Sequence, residues 1–67
     1  MKNLIKVERA RNNITQAELA DKVKVSRQTI NSIETGRFIP SALLAFKIAN
    51  VLHRTVDEVF QLEDSDW

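Results

Sequence analysis

The sequence predicts an all-α fold, a compact domain of five short helices. Three observations support this prediction: apolar residues recur at helical spacing, two segments carry helix-start signatures, and the one glycine and one proline fall between apolar stretches. The 67 residues make one small domain, 1–67, and a chain of this size buries only about 60 % of its unfolded surface. Regular helix packing or a partner chain therefore has to supply stability.

The first two helices are marked by their ends. Apolar spacing predicts the first helix over Leu4 to Asn12, after a lead-in that is either frayed or extended. Asn13 is expected to end it in the left-handed conformation, which Asn tolerates better than most residues. Thr15-Gln-Ala-Glu18 is a capping box, in which the Thr hydroxyl covers one orphan amide and the Glu reaches back to another. This box opens the second helix.

The second and third helices form a close pair over residues 16–35. They are separated by a turn at Lys24, Ser26 caps the third helix, and Gly36 is the natural residue to follow its end. Counted from residue 16 as position 1, apolar residues fall at positions 4, 8, 10, 15 and 18, and the small Ala20 falls at position 5. A small residue there lets the two helices cross closely. The third helix is then held on the outside with its N-terminus free.

Two more helices complete the predicted bundle. Ser41 opens a fourth helix over residues 42–52, with its apolar residues on one side, and His53 is expected to take a left-handed cap position. Thr55-Val-Asp-Glu58 is a second capping box and opens a short fifth helix. Residues 61–67 form an acidic tail, for which a short extended strand and disorder are both open.

Composition excludes several classes of protein. Without cysteine, neither a disulfide framework nor a thiolate metal site is possible. No apolar run approaches the roughly 20 residues of a membrane span and no signal peptide is visible, so we expect a cytoplasmic, or nucleoid-associated, protein with no membrane partner. The single histidine, and the lack of a phosphate-binding glycine loop or a ligand cluster, give no support for an enzyme, a metal, a cofactor or a small-molecule ligand.

Charge is distributed unevenly along the chain. The net charge is +1, but residues 1–54 hold all ten Lys and Arg against four acidic residues. Residues 55–67 hold five acidic residues and no basic one, so the two parts carry +6 and −5. A basic body with an acidic end directs a positive field to one side, which suits a nucleic-acid partner. Ordinary solubilising charge is the alternative interpretation.

The exposed start of the third helix carries side chains suited to reading DNA. In order along the helix they are Ser26, Arg27, Gln28, Thr29, Asn31 and Ser32. Several of these can form hydrogen bonds in pairs with base edges, and a helix is a rigid rod that fits the major groove. The alternative is that they are solvated surface residues, and Ser26 acts mainly as a cap.

The stretch TQAELADKVKVSRQTINSIETGR, followed by PS, ALLAFKIANVL and TVDEVF, resembles the phage-repressor and Cro-type helix-turn-helix regulators, the Xre-like family. The resemblance covers about residues 4–60. It implies a five-helix Cro/repressor-like domain that binds double-stranded DNA operators as a homodimer. One recognition helix then serves each half-site.

The resemblance also implies roles for individual residues. The positions expected to contact bases are Arg27, Gln28, Asn31 and Ser32. The positions expected to contact phosphates are Gln16, Lys24, Ser26, Thr29 and Arg37. Arg9 and Glu34 match a pair of residues that forms an ion pair between the first and third helices in relatives, so we expect them to be structural.

Five residues depart from the family pattern, and two of them, Asn13 and His53, replace customary glycines. Lys24 stands where the turn usually has Gly, which costs roughly 1 kcal/mol in a left-handed conformation. Its charge either faces a phosphate or is simply tolerated. Glu8 takes a position often held by Leu, so we expect Val7 to do part of its packing. Arg54 stands where an apolar residue is common. None of them lies on the surface expected to read bases, so they concern stability rather than function.

Several apolar residues have no evident core partner and are candidates for a dimer surface: Ile39, Leu43, Phe60, Leu62 and Trp67. Ordinary exposure is the alternative for each. We therefore predict a sequence-specific transcriptional regulator, a repressor acting as a homodimer on an inverted-repeat operator. A second hypothesis is an antitoxin-like or adaptor module that also binds a protein partner through the acidic tail. RNA binding is disfavoured, because the helix face lacks the aromatic residues that stack on single-stranded bases.

Overall fold

A computed structural model describes all residues, 1–67. Five helices follow one another as α1 (Ile5–Asn12), α2 (Gln16–Val23), α3 (Arg27–Glu34), α4 (Ala42–Val51) and α5 (Val56–Val59). A two-residue strand β1 (Lys2–Asn3) precedes α1, a second strand β2 (Phe60–Gln61) follows α5, and a 3-10 turn spans Asp64–Asp66. The predicted five-helix all-α fold is confirmed, with a minor sheet added. None of the helices has the length and apolar character needed to cross a membrane.

The two strands pair antiparallel, with Lys2 opposite Gln61 and Asn3 opposite Phe60. The pairing is continued by the Leu4 amide, which donates to the Val59 carbonyl at 2.8 Å. For the lead-in before α1, the extended alternative is therefore correct, whereas in the tail only Gln61 joins the sheet and Asp64–Asp66 form a 3-10 turn. The sheet ties the segment before α1 to the segment after α5 and closes the bundle.

Four residues leave the helices in the left-handed region, as expected from the sequence. Their φ angles are 55° at Asn13, 61° at Lys24, 59° at His53 and 80° at Gly36. At the end of α2 the Lys24 amide donates to Asp21 O at 3.3 Å. Each left-handed residue turns the chain sharply enough for the next segment to pack back on the core.

The predicted capping boxes form at the starts of α2 and α5. At α2 the Thr15 hydroxyl accepts from the Glu18 amide at 3.0 Å, and the Thr15 amide donates to Glu18 Oε1 at 2.9 Å. At α5 the Thr55 amide donates to Glu58 Oε1, also at 2.9 Å. These bonds, from the Thr amide first and its hydroxyl second, lower the pKa of Glu18 and of Glu58.

The core lies around α2, which packs against both α3 and α4. Ala20 is only 2 % exposed, as expected for a small residue where helices cross closely. The other buried apolar residues come from every helix and from β2: Ile5, Leu19, Val23, Ile30, Ile33, Ala45, Ile48, Ala49, Leu52, Val59 and Phe60.

Two departures from the family pattern compensate for each other. Glu8 is buried, and Arg54 Nε donates to Glu8 Oε1 at 3.1 Å, while Arg11 Nε lies 3.3 Å from the same oxygen. The hydrogen bond to Glu8 raises the pKa of Arg54. Val7 is 58 % exposed, so the expectation that it takes over packing from Glu8 is wrong. The helix turns Glu8 inward instead, because Arg54 neutralises it there.

Candidate nucleic-acid interface

The third helix presents its polar side away from the core. Ile30 and Ile33 are buried at 0 % and 2 % exposure, which fixes the rotation of α3 about its axis. Arg27, Gln28 and Asn31 are exposed on the opposite side. A helix with one buried stripe must present its other positions to solvent. These three side chains form what we call the exposed face of α3.

Two hydroxyl groups close the start of α3. The Ser26 hydroxyl accepts from the Thr29 amide at 3.1 Å, and the two hydroxyl oxygens are hydrogen-bonded to each other at 2.9 Å. Ser26 is exposed and Thr29 is half-buried. Both hydroxyls are thus held in place by the cap, at the end of the helix that carries Arg27.

An open cleft lies on one side of α3. It encloses about 580 Å³ between α3, the last turn of α1 and the first turn of α2. Its lining residues are Arg9, Ala10, Asn13, Ile14, Thr15, Gln16, Ala17 and Arg27. The first turn of a helix leaves backbone N–H groups without a helical partner, and these favour anions. We call this the α2 cleft.

A second cleft lies on the other side of α3 and encloses about 300 Å³. It is lined by Gln28, Thr29, Ser32, Arg37 and Phe38. After Gly36 the chain doubles back, so that the amides of Arg37 and Phe38 both donate to Ser32 O, at 2.9 and 3.2 Å. The turn therefore places a guanidinium beside the exposed face of α3. We call this the Arg37 cleft.

A hydrogen-bonded network joins α1, α2 and α3 beside the α2 cleft. Arg9 binds Glu34 with two bonds, Nε to Oε2 at 2.7 Å and Nη2 to Oε1 at 3.2 Å. Arg9 Nη1 also donates to Ile14 O at 3.2 Å. Gln16 Nε2 donates to Glu34 Oε1 at 3.3 Å and to Asn31 Oδ1 at 3.2 Å. The link between Gln16 and Asn31 is absent from our sequence-based expectations.

Lys24 is separated from both clefts beside α3. It is exposed at the turn and lines a different cleft, of about 440 Å³, together with Lys22 and Lys47. Phe46, Asn50 and Val51 complete the lining. Because three lysines line it, we call this the lysine cleft.

The candidate dimer residues do not all reach the surface. Ile39 and Leu43 are 63 % and 66 % exposed, and Leu62 and Trp67 are 62 % and 92 % exposed. Phe60 is the exception, because it is only 6 % exposed. Phe60 pairs with Asn3 in the sheet, and its ring packs in the core. It therefore does not contribute to an exposed apolar surface.

The acidic tail folds back on the amino group of Met1. Asp66 Oδ1 lies 2.9 Å from the amino group of Met1, and Glu63 Oε1 lies 3.2 Å from it. The hydrogen bond to Asp66 raises the pKa of that amino group, while the Glu63 amide, first, and the amino group, second, lower the pKa of Asp66. Trp67 stays outside these contacts.

Comparison with known proteins gives a consistent result. Residues 5–59 match a family model described as helix-turn-helix. The chain is 48 % identical, over 98 % of its length and 100 % of the relative, to an uncharacterized HTH-type transcriptional regulator of Methanocaldococcus jannaschii. It is 42 % identical, with the same coverage, to the uncharacterized HTH-type transcriptional regulator YgzD of Bacillus subtilis.

A solved structure is similar in fold. The crystal structure of the clp gene regulator ClgR from Corynebacterium glutamicum superimposes with a TM-score of 0.76 at 28 % identity. The match covers 81 % of this chain and 57 % of that one, so this chain spans little more than half of ClgR.

Proposed function

Because the chain belongs to the Xre/Cro-type helix-turn-helix family of transcriptional regulators, we propose that it is a repressor that binds an inverted-repeat operator as a homodimer. The observation that carries this proposal is the exposed face of α3, which stands between two clefts. Arg27 and Gln28 lie on this face at the N-terminal end of α3, and both side chains are exposed.

The two clefts beside α3 support this proposal, because each lies where a phosphate strand would run if α3 entered the major groove. The major groove is about 12 Å wide, and phosphates line it on both sides. With α3 in the groove, one phosphate strand faces the first turn of α2 and the other faces Arg37. Hydrogen-bond donors on both sides then fix the register, and base edges supply the specificity.

This placement supports only part of the roles that we propose for individual residues, because Lys24 and Ser26 line neither cleft. Base edges are read by Arg27, Gln28, Asn31 and Ser32. Phosphates are held by Gln16 at the first turn of α2 and by Lys24, Ser26, Thr29 and Arg37. The ion pair between Arg9 and Glu34 is structural, because it ties α1 to α3 behind the exposed face.

A homodimer follows from the small number of base contacts that one helix offers. Two half-sites about 34 Å apart double those contacts on one face of the duplex. The exposed apolar residues that we assign to the dimer are Ile39 before α4, Leu43 in its first turn, Leu62 and Trp67. Repression follows where the operator overlaps a promoter, because the bound dimer then excludes polymerase.

Selection from a random DNA pool, followed by sequencing, tests this function. We expect an inverted repeat whose half-sites are centred about 34 Å apart, and two protein chains per duplex by native mass spectrometry. A single site bound by one chain would contradict the homodimer. The absence of any enriched sequence would contradict specific DNA binding altogether.

A second candidate function is protein binding through the acidic tail, as in an antitoxin-like or adaptor module. It is favoured by the 92 % exposed Trp67 beside carboxylates that are already held in place. Removing residues 62–67 should then abolish recovery of a protein partner and, because Leu62 and Trp67 are also assigned to the dimer, reduce self-association as well. Equal recovery by the shortened chain, with equal self-association, would remove the basis of this candidate.

A further inference from the structure

Phe38 places an apolar ring beside the polar side of α3. Its side chain is 49 % exposed, and Phe38 is the one apolar residue among the five that line the Arg37 cleft. Single exposed apolar side chains are common on protein surfaces, so exposure alone assigns no role to the ring. The position of Phe38 does assign one, because it shares the cleft with Gln28 and Ser32, two of the residues that we assign to bases.

The backbone of Phe38 is attached to α3 itself. Gly36, with a φ of 80°, turns the chain, and the Phe38 amide then donates to Ser32 O at 3.2 Å. Arg37 is held by the same carbonyl, since its amide donates to Ser32 O at 2.9 Å. Ser32 follows Gln28 by four residues, so the side chains of these two residues lie on one side of α3. The backbone of Phe38 is therefore held against α3 and moves with it.

The two walls of the Arg37 cleft suit different parts of a DNA strand. One wall is α3, with Gln28, Thr29 and Ser32, and the other is the turn that carries Arg37 and Phe38. In the proposed complex, α3 faces base edges and Arg37 faces a phosphate of the nearer strand. An apolar ring in the same cleft then lies against the part of that strand between its base edges and its phosphates.

Thymine has its methyl group in that region of a strand. The sugar is attached to the base at N1, and C6 alone separates N1 from C5, which carries the methyl group. The methyl group therefore lies on the backbone side of the major-groove edge, whereas O4 lies toward the paired base. Of the four bases only thymine carries a methyl group in the major groove, and apolar side chains such as Phe contact it.

We propose that Phe38 is a base-reading residue that contacts the methyl group of a thymine beside the phosphate held by Arg37. The proposal rests on the DNA-binding function proposed above and deepens it, because it adds an apolar contact to the polar contacts of α3 and specifies one base of each half-site. A ring that packed only on a deoxyribose would add affinity without distinguishing thymine from the other bases.

Replacing thymine by deoxyuridine tests this contact, because the change removes the methyl group and keeps every hydrogen-bonding group of the base. Each thymine in one half-site of the selected operator is replaced in turn, and the affinity of the wild-type protein is compared with that of Phe38→Ala. At one of these thymines the wild-type protein should lose about fourfold in affinity, the scale of one buried methyl group. Phe38→Ala should bind the thymine and deoxyuridine duplexes equally at that position.

Two variants are matched controls. Phe46→Ala removes an exposed phenylalanine of α4, on the lysine cleft, and should keep the fourfold difference between the duplexes. Arg37→Ala should weaken binding to the thymine and the deoxyuridine duplexes by the same factor, because a phosphate contact carries no information about the base. Thermal melts of each variant establish that it is folded.

The outcomes separate this proposal from the function on which it rests. If every thymine gave the same loss with Phe38→Ala as with the wild-type protein, Phe38 would not read a methyl group, and the proposed DNA-binding function would stand. If the random pool enriched no sequence, the proposed function would fail and the role of Phe38 would fail with it.

Discussion

The turn residue Lys24 has a left-handed backbone and a positive charge, and the effects of the two can be measured separately. Its φ of 61° is unfavourable for a residue with a Cβ, and its side chain contributes one of the three positive charges of the lysine cleft. Lys24→Gly relieves the unfavourable φ and removes the positive charge. The variant should gain up to about 1 kcal/mol in free energy of unfolding, measured by urea denaturation.

The same variant should weaken DNA binding, because we assign Lys24 to a phosphate. The slope of log K against log salt should become shallower by about 0.9. His53→Gly is the matched control: its φ of 59° is relieved in the same way, with no lysine removed. An identical salt slope for Lys24→Gly and the wild-type protein would show that Lys24 does not contact a phosphate.

The ion pair of Glu8 and Arg54 should respond unequally to removal of either partner. Glu8 is almost fully buried, whereas Arg54 keeps 28 % of its side-chain surface. Arg54→Met leaves a buried carboxylate without its main partner and should lower the melting temperature clearly. Glu8→Leu replaces that carboxylate by an apolar group, and Arg54 can turn to water, so we expect little loss or a gain. A larger loss for Glu8→Leu than for Arg54→Met would contradict the account.

Individual residues show where prediction from sequence ends. The left-handed positions Asn13 and His53 were predictable, because a helix end demands that conformation and few residue types tolerate it. The pairing of Glu8 with Arg54 was not, because it joins residues 46 positions apart. The bond from Gln16 to Asn31 depends on side-chain direction, which neither periodicity nor spacing specifies.

At the scale of elements, the close contact of α2 with α3 depends on Ala20. It is 2 % exposed in a filled core, and a larger side chain has no room there. Ala20→Leu should cost about 1 to 3 kcal/mol of unfolding free energy through overpacking, measured by urea denaturation. Ala42→Leu, at an exposed position of α4, should cost much less. Equal losses of unfolding free energy for Ala20→Leu and Ala42→Leu would show that α2 and α3 are not closely packed at Ala20.

The capping boxes give the helices a dependence on pH. The pKa of Glu18 lies below its usual value of 4.5, because the Thr15 amide and hydroxyl bind its carboxylate. A lowered pKa in the folded state stabilises the fold above about pH 4.5, and this contribution disappears as the pH falls through the folded pKa.

Glu18→Gln should therefore flatten the loss of stability in acid, followed as the urea midpoint between about pH 6 and pH 3. Asp21→Asn, which changes an exposed carboxylate outside the box, is the control. If Glu18→Gln lost stability in acid as steeply as the wild-type protein, the box would not be the source of the pH dependence.

Helices were more predictable than strands for a physical reason. Each helix carries its own local signals, a cap and a repeating apolar side, so its position follows from adjacent residues. The observed ends differ from the predicted ones by a residue or so, as at Leu4, which precedes α1. The sheet joins Lys2–Asn3 to Phe60–Gln61, and two-residue strands are too short to show alternation.

At the scale of the whole molecule, charge and shape act together. The ten basic residues all lie within residues 1–54, and the acidic tail, residues 61–67, folds back on the amino group of Met1. The positive field is therefore directed by the body of the domain, and the helix that we propose to enter the groove belongs to that body. The exposed side chains were predictable from the sequence, whereas the two clefts beside α3 required the folded chain.

The central claim is that Arg27 and Gln28 read bases from the exposed face of α3. The most direct test is the affinity of the Arg27→Ala, Gln28→Ala double variant for the selected operator and for an unrelated duplex at one salt concentration. Lys6→Ala, Gln61→Ala is the matched control, since it removes the same number of charges and carboxamides at exposed positions. We expect the double variant to lose at least about tenfold in operator affinity, because each contact contributes roughly 1 to 3 kcal/mol, and to lose far less on the unrelated duplex. Full operator affinity in the double variant would contradict the claim.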